Sequence, residues 1–585
     1  MITSPPVRSQ PPNARLQPPP GRARLGAGRK GGPLARRLDA YRRHDYPVPE
    51  TMLAWNISGA GFDNVGEGGR PVRVPVPRPG RNECLLRVDA MGLCFSDVKL
   101  IAAGSDHVRI RGRDLKKNPT RGGHEVALTV AIAGEEEGFR VGDRFILQAD
   151  VFYKGVGMAV GYVIPGGMAE YFLAPKEVLH GDDGCYLIPI SDALGYADAA
   201  LVEPWACIEA AYRIAARRAP APDGRALVVD AGGGVPAGVP AGSEIVRAPD
   251  LAARAGELAS GGGFDDVFVT GAGPDSAGLV AAALAVLGRG GALCLVAPGE
   301  LPHEVGVDIG RVHYQGIRIV AGGTVEAAYA ANVREDLLPG GAAHMSGAGG
   351  PMGQMHVQRA IEAERPPSAV VVTDLADDRL EYTAARLGPV AKERGVALAC
   401  LNPRKYPSPE AAEGALLDFA RMAGREGFDD IVVCAPVAAL ASAAVRQAAP
   451  GCVVNVFAGV GLGTVATLDL NAIARKSVRV VGSSGSRLED MLGVVEKATA
   501  GRLSTGRSLG AVGGLAQTLD GLRGLKEGRF PGKTVIFPGI PDMPLIGMAD
   551  LARDIPQVGR LLADGGAWTR RAEEALLEAK LAFPE

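Results

Sequence analysis

Aromatic residues are scarce in this chain of 585 residues, at 5%, and only three are tryptophan. A core of small side chains suits helices layered on sheets, and 81 glycines supply tight turns, which argues against a β-sandwich. Long apolar runs are missing too. No stretch of about 18 uninterrupted apolar residues occurs, which excludes a helical membrane span. The opening MITSPPVRSQPPNARLQPPP lacks the apolar core of a secretory signal. Cysteine is sparse: Cys84, Cys94, Cys185, Cys207, Cys294, Cys400, Cys434 and Cys452 stand apart, with no CxxC pair. That spacing excludes a small disulfide scaffold and predicts free thiols in a cytoplasmic protein, some available as metal ligands. A net charge of −2 gives no sign of a nucleic-acid partner.

What is present is a globular balance, 47% hydrophobic and 22% charged, over a length that predicts three or four structural units. Residues 1–48 are expected to form a disordered basic arm. The first 45 hold ten Lys/Arg against Asp39 and Asp45, with eight prolines, and bury too little to offset their ordering entropy. Without them the body carries 53 basic and 63 acidic residues, and Met52, opening the strand-like MLAWNIS, is an alternative start. Residues 49–215 read as short strands with Gly/Pro turns, among them ECLLRVDAMGLC, EVALTVAIAG and DRFILQADVFY. Residues 222–328 and 338–485 switch to strand–helix alternation. Near-continuous apolar strands such as RALVVD, SAVVVTDL and DDIVVCAP imply an α/β fold with a doubly wound parallel sheet. Residues 486–545 return to strand and turn, and 546–585 form a helical tail ending in TRRAEEALLEAKLAF.

An internal repeat links the two alternating stretches. Phe264-Asp265-Asp266-Val267 recurs as Phe428-Asp429-Asp430-Ile431. Each copy continues through an Ala-rich helix to an acidic step, Asp308 or Asp469, and then to RIVAGGT or RVVGSSG. Four anchors in the same order predict a duplication.

Three motifs carry possible metal chemistry. GLCFSD supplies Cys94, Ser96 and Asp97 at a strand end, GGHE supplies His124 and Glu125 before the next strand, and LVEPW supplies Glu203. A catalytic zinc wants three ligands drawn from Cys, His and carboxylate and an open fourth position. Each motif alone fits a packed core residue or a turn. Their order in a strand-rich region ahead of a dinucleotide-type fold points to a metal site.

The set GLCFSD, GGHE, VGDRF, GGMAEYFLAP and LVEPWACIEAA resembles the catalytic domain of medium-chain zinc dehydrogenases, nearest the sorbitol/polyol and sugar-phosphate reductase branch. The resemblance covers roughly residues 52–215 and 340–545. It implies a GroES-like catalytic domain, completed by residues 486–545, and hydride transfer between NAD(H) and a secondary alcohol or ketone of a polyol or sugar phosphate. It also implies a homo-oligomer, dimer or tetramer. Cys94 and His124 would bind one catalytic Zn2+, with Glu125 and Glu203 both open for the third position. Ser96 would relay the alcohol proton, and Asp97 would orient the ligand histidine. Relatives often carry a second, structural zinc on four close cysteines. Residues 126–184 contain no cysteine, so that zinc is expected to be absent. A zinc-independent reductase of the same superfamily and a non-catalytic NAD-binding regulator stay open as other readings.

The cofactor motif lies in the second α/β stretch. Gly349, Gly350, Pro351, Met352 and Gly353 precede the helical MHVQRAIEAE, and Asp374 ends the next strand 21 residues beyond Gly353. Glycines let the backbone approach a pyrophosphate at a helix N-terminus, and the acid bonds the adenosine ribose, which favours NAD over NADP. The loop is one glycine longer than the usual pattern, so either the turn carries an insertion or Ala348 replaces the first glycine. The first copy, VVDAGGGVPAGVPAG, has no convincing following helix and reads as a degenerate, structural unit.

Overall fold

The computed structural model describes residues 33–213, 217–296, 299–330 and 333–581, which cluster into two compact units. One comprises residues up to Ala206 together with Ser486 onward; the other runs from Cys207 to Gly485.

In the first unit an eight-stranded sheet is closed by the chain's return. The strands Ile546–Gly547, Leu509–Gly514, Lys533–Phe537, Cys84–Gly92, Glu125–Ala133, Arg144–Leu147 and Leu187–Pro189 follow one another across it, and Tyr171–Ala174 also pairs with Cys84–Gly92. The alternation in ECLLRVDAMG predicts one wet face, but every residue of Cys84–Gly92 is buried. The polar residues are covered because Arg87 and Asp89 pair with each other at 2.6 Å, and Thr129 donates to Asp89. A buried pair of this kind is tolerated only when its remaining hydrogen bonds are met.

Part of that cover corrects the expectation of a disordered arm over residues 1–48. Residues 1–32 lie outside the described set, but Pro33–Arg43 form a helix with Leu38 and Tyr41 buried. The Tyr41 ring sits 3.5 Å from the Arg87 guanidinium, its carbonyl accepts from Arg87, and Arg42 pairs with Glu574. Composition alone misses this because two apolar anchors and one cation–π contact suffice to hold a short helix. At the other end of the chain the helix Arg570–Lys580 packs with Ala572, Glu573, Leu576 and Leu577 buried. Glu573 is buried, and its two carboxylate oxygens accept from the Tyr196 and Ala197 amides, capping the helix Tyr196–Ala200.

Among its described residues the second unit holds thirteen strands: β1 Ala226–Asp230, β2 Glu244–Arg247, β3 Phe264–Thr270, β4 Leu287–Val296, β5 Val305–Asp308, β6 Arg318–Gly322, β7 Ala342–Ser346, β8 Ala369–Thr373, β9 Ala397–Leu401, β10 Phe428–Val433, β11 Ala448–Val456, β12 Val465–Leu468 and β13 Arg479–Val481. Eleven of them make one sheet, in the order β2-β1-β3-β4-β6-β13-β11-β10-β7-β8-β9. Neighbours run parallel except at β6–β13, which pair antiparallel, while β5 and β12 form a separate antiparallel ribbon. The two expected α/β units therefore share one sheet and one core, with Leu227, Val267, Leu293, Ile319, Ile431, Val454 and Val480 in the same apolar cluster.

The structure extends the repeat beyond its sequence anchors. Arg217 binds Asp266, and Asp266 also accepts from the Ala221 amide; Arg334 binds Asp430, and Asp430 accepts from the Leu338 amide. These matching clamps precede β1 and β7. The halves differ between β1 and β3, where the first copy has β2 and one helix, Ala248–Leu258. The second has helix Pro351–Glu362, β8, helix Asp377–Glu393, β9 and helix Pro409–Met422.

Candidate functional site

Register brings the metal candidates together. Cys84–Gly92 and Glu125–Ala133 are antiparallel neighbours with Gly92 opposite Glu125, so the residues just after one strand meet those just before the other. Cys94 is the N-cap of helix Phe95–Ala103 and is half-buried, whereas His124 and Glu125 are buried. One donor atom from each of Cys94, His124 and Glu125 lies within 4.8 Å of the others. No second group of three such donors comes so close among the described residues. Gly92 leaves the room for this: a Cβ there would stand 2.1 Å from Glu125 Oε2.

The donors fit a zinc-sized cation in chemistry as well as in place. His124 Nδ1 and Glu125 Oε2 are buried without a hydrogen-bond partner, a costly condition that a bound cation relieves. A thiolate, an imidazole and a carboxylate are also the ligand types of catalytic zinc. Burial disfavours a charged His124, but its hydrogen bond to Cys94 and the charges of Cys94, Glu203 and Asp97 prevail. They hold its pKa well above the ordinary value.

The remaining sequence candidates take different positions. Glu203 is absent from the close group, yet its charge reaches His124 and Glu125; burial raises its pKa to about 7. Asp97 does not bond the His124 ring, since its Oδ1 stands 3.9 Å from Nδ1. It accepts instead from the Gly123 amide at 3.0 Å and the Cys94 amide at 3.1 Å, and so ties together the backbones that carry both ligands. The Ser96 Oγ is buried with no well-formed hydrogen bond, beside the Tyr162 phenol.

Two residues at this site escaped the sequence reading. Lys533, fully enclosed on the Lys533–Phe537 strand, donates to Glu125 Oε1 at 2.6 Å and to the Leu93 carbonyl at 3.0 Å. Burial opposes its charge, but Glu125 and then Cys94 outweigh this and raise its pKa. Tyr162 stacks against His107 and lies 5.0 Å from the Arg109 guanidinium, which in turn binds Asp150. Nothing local marks either residue in sequence. Lys533 lies 408 positions from its partner, and only the strand pairing Val535–Gly92 brings them together.

In the second unit the glycine loop resolves as an insertion. Gly347, just after β7, has φ +67° and makes the turn, a conformation open mainly to glycine. Gly349 packs on Asp374, whose Oδ2 accepts the Gly349 amide at 2.9 Å, and a Cβ on Gly353 would stand 2.4 Å from Ala348 Cα. The three glycines with backbone roles are thus Gly347, Gly349 and Gly353. Gly350 is the N-cap of the Pro351–Glu362 helix, with Pro351 and Met352 in its first turn. In the first copy Asp230 stands where the second has Gly347. Its carboxylate accepts the Gly232 and Gly234 amides, each at 2.8 Å.

Residues 80–181 match the alcohol dehydrogenase GroES-like domain. Along most of its length the chain resembles mannitol-1-phosphate 5-dehydrogenase of Aliivibrio fischeri, 25% identical over 518 residues, which span 86% of this chain and 93% of that protein. It similarly resembles L-sorbose 1-phosphate reductase of Klebsiella pneumoniae, 24% identical over 86% of this chain and 93% of that one. Among solved structures, 2R,3R-butanediol dehydrogenase from Bacillus subtilis aligns at 16% identity with a TM-score of 0.49, over 83% of this chain and 99% of that one.

Proposed function

We infer that this chain, a relative of the alcohol and polyol dehydrogenases with their GroES-like domain at residues 80–181, is an oxidoreductase. It would transfer a hydride between NAD(H) and a secondary alcohol or ketone of a polyol or sugar phosphate. The observation that carries this reading is the convergence of Cys94, His124 and Glu125 within 4.8 Å, two of them with unsatisfied buried donor atoms.

Cys94, His124 and Glu125 would hold one zinc ion, with Glu203, whose charge reaches His124 and Glu125, as the carboxylate that would exchange for Glu125. When bound, zinc supplies Lewis acidity at the substrate oxygen and NAD supplies the hydride acceptor. The chain does the rest. Asp97 fixes the two ligand-bearing backbones, and Lys533 balances the charge of Glu125 while occupying one of its oxygens. Ser96 Oγ, buried beside the Tyr162 phenol, would relay the proton that an alcohol O–H releases, accepting it while passing its own hydroxyl proton on toward solvent, with the reverse sequence on reduction. The loop Gly347–Gly353 and the N-terminus of helix Pro351–Glu362 suit a pyrophosphate, and Asp374, at the end of β8, suits ribose hydroxyls over a 2′-phosphate. The polyol or sugar-phosphate class rests on what the relatives named above act on.

The test is metal analysis together with NAD-linked turnover of a panel of polyols and sugar phosphates. Cys94→Ser is expected to lose zinc and activity while keeping its fold by circular dichroism. A metal-free Cys94→Ser enzyme with parental turnover would sink the reading.

A further inference from the structure

We propose that residues 217–330 act as a permanently attached partner of the cofactor half, forming inside one chain the twofold interface that two identical subunits would otherwise build between them. The evidence is the register. Aligning the repeats on Asp308 and Asp469 makes Gly306 equivalent to Thr467 and Ile319 equivalent to Val480. In the structure Gly306 faces Thr467 in the β5–β12 ribbon, and Ile319 faces Val480 where β6 meets β13. Off that axis the pairing exchanges as a dyad requires: Val305 faces Leu468, the equivalent of Val307, while Val307 faces Ala466, the equivalent of Val305. Residue i meeting j while j meets i is the signature of an isologous contact. The antiparallel β6–β13 joint in an otherwise parallel sheet is explained by the same axis.

Side chains repeat the symmetry. Asp308 and Asp469 each cap their own helix, accepting from the Arg311 and Ala472 amides. Each also reaches the opposite half: Asp308 accepts from the Gly463 amide at 2.9 Å, and Asp469 stands 3.2 Å from His303 Nδ1. The Ile309 amide donates to the Thr464 carbonyl and the Leu470 amide to the Pro302 carbonyl, each reaching the opposite half, one residue out of strict register. Arg479 crosses the joint to the Arg217 and Tyr329 carbonyls. Apolar side chains of both halves fill one core.

The attached half has given up its own cradle. Asp230 occupies the loop amides with its carboxylate, and the chain passes from that loop to β2 without the helix that Pro351–Glu362 supplies in the second half. An anion offered to the loop would have to displace a resident one. Each chain should therefore bind one dinucleotide. A short tether also gives the two halves an effective concentration on the order of millimolar, so pairing within a chain prevails over pairing between chains at working concentrations. Strand β13, which would be an open sheet edge in a lone cofactor half, is paired from within.

The test is a crosslink across the axis in the full-length protein. Facing residues of an antiparallel pair lie within disulfide reach. Ile319→Cys with Val480→Cys should, on oxidation, yield an internal crosslink at single-chain mass at every concentration, absent from either single variant. Crosslinks joining two chains, or none at all, would overturn the proposal. In the unmodified protein, hydrogen exchange at Val320 and Val481 should not change on dilution, and protection that appears only as chains associate would overturn it equally. Calorimetric titration with NADH should give one site per chain. A second site would refute the closed cradle, and neither structural readout depends on turnover or zinc.

Discussion

Substituting Lys533 by methionine isolates what the buried cation contributes. The change keeps the length and apolar stem of the side chain but deletes the ammonium that sits 2.6 Å from Glu125 and 3.0 Å from the Leu93 carbonyl. Both side chains are almost wholly enclosed, at 4% and 0% exposure, so water cannot replace the lost partner. Removing one member of such a pair costs about 3–5 kcal/mol, mostly from the stranded charge. For a unit of roughly 300 residues, an unfolding entropy of ~2.1 cal/mol/K per residue turns ~4 kcal/mol into a Tm drop of about 6 °C. The assay is calorimetry with chelator present, so that metal does not compensate the carboxylate. Lys533→Met with Glu125→Gln removes the stranded charge and should recover most of the loss. A single variant within ~1 °C of the parent, or a double variant no more stable than the single, would refute the reasoning.

Other expectations follow from the same geometry. His344 and His356 are buried in the second unit, and burial lowers their pKa values to about 4 and about 3. Because both folded values lie below the unfolded value near 6.5, the stability they confer is complete above it and is lost as pH falls toward those values. The slope is up to ~1.4 kcal/mol per pH unit for each. Urea midpoints measured from pH 7 to 5 should fall steeply, and about half as steeply in His356→Gln, which leaves His344 in place; a flat parental profile would count against this. Asp374→Ala should weaken NADH about tenfold, or ~1.4 kcal/mol, by fluorescence titration, and unchanged affinity would remove Asp374 from the site. Gly353→Val should abolish NADH binding, because its Cβ would collide with Ala348, yet leave zinc content at the parental level.

The sequence made the motif-borne parts legible and left the pairings dark. Cys94, His124 and Glu125 were readable because each stands beside a strand end in a recognisable run. The glycine loop was readable because β7, helix Pro351–Glu362 and β8 alternate cleanly in hydrophobicity. Asp97 was assigned to the imidazole, whereas it holds two backbone amides. Such a choice depends on a difference of about an ångström that spacing does not encode. Lys533 was invisible because a strand register across hundreds of residues brings it in, and Tyr162 because it sits in a turn that carries no motif of its own. The helix Pro33–Arg43 was lost in a charged, proline-rich average, although Leu38 and Tyr41 are enough to anchor it. The repeat was visible as similarity, but its twofold pairing needed the register.

That pairing has an evolutionary consequence. In an assembly of identical subunits every substitution appears on both sides of the axis, and a residue on the axis must tolerate itself. Fusion lifts that constraint. Gly306 faces Thr467, and a Cβ added at Gly306 would stand 3.0 Å from Val465 Cγ1, a neighbour contributed by the other half. One half could lose its phosphate helix and fill its loop with Asp230 while the other kept the helix Pro351–Glu362 after its loop, because one gene now encodes each side separately. Such a chain can specialise one side of its own symmetry, a freedom closed to any homodimer.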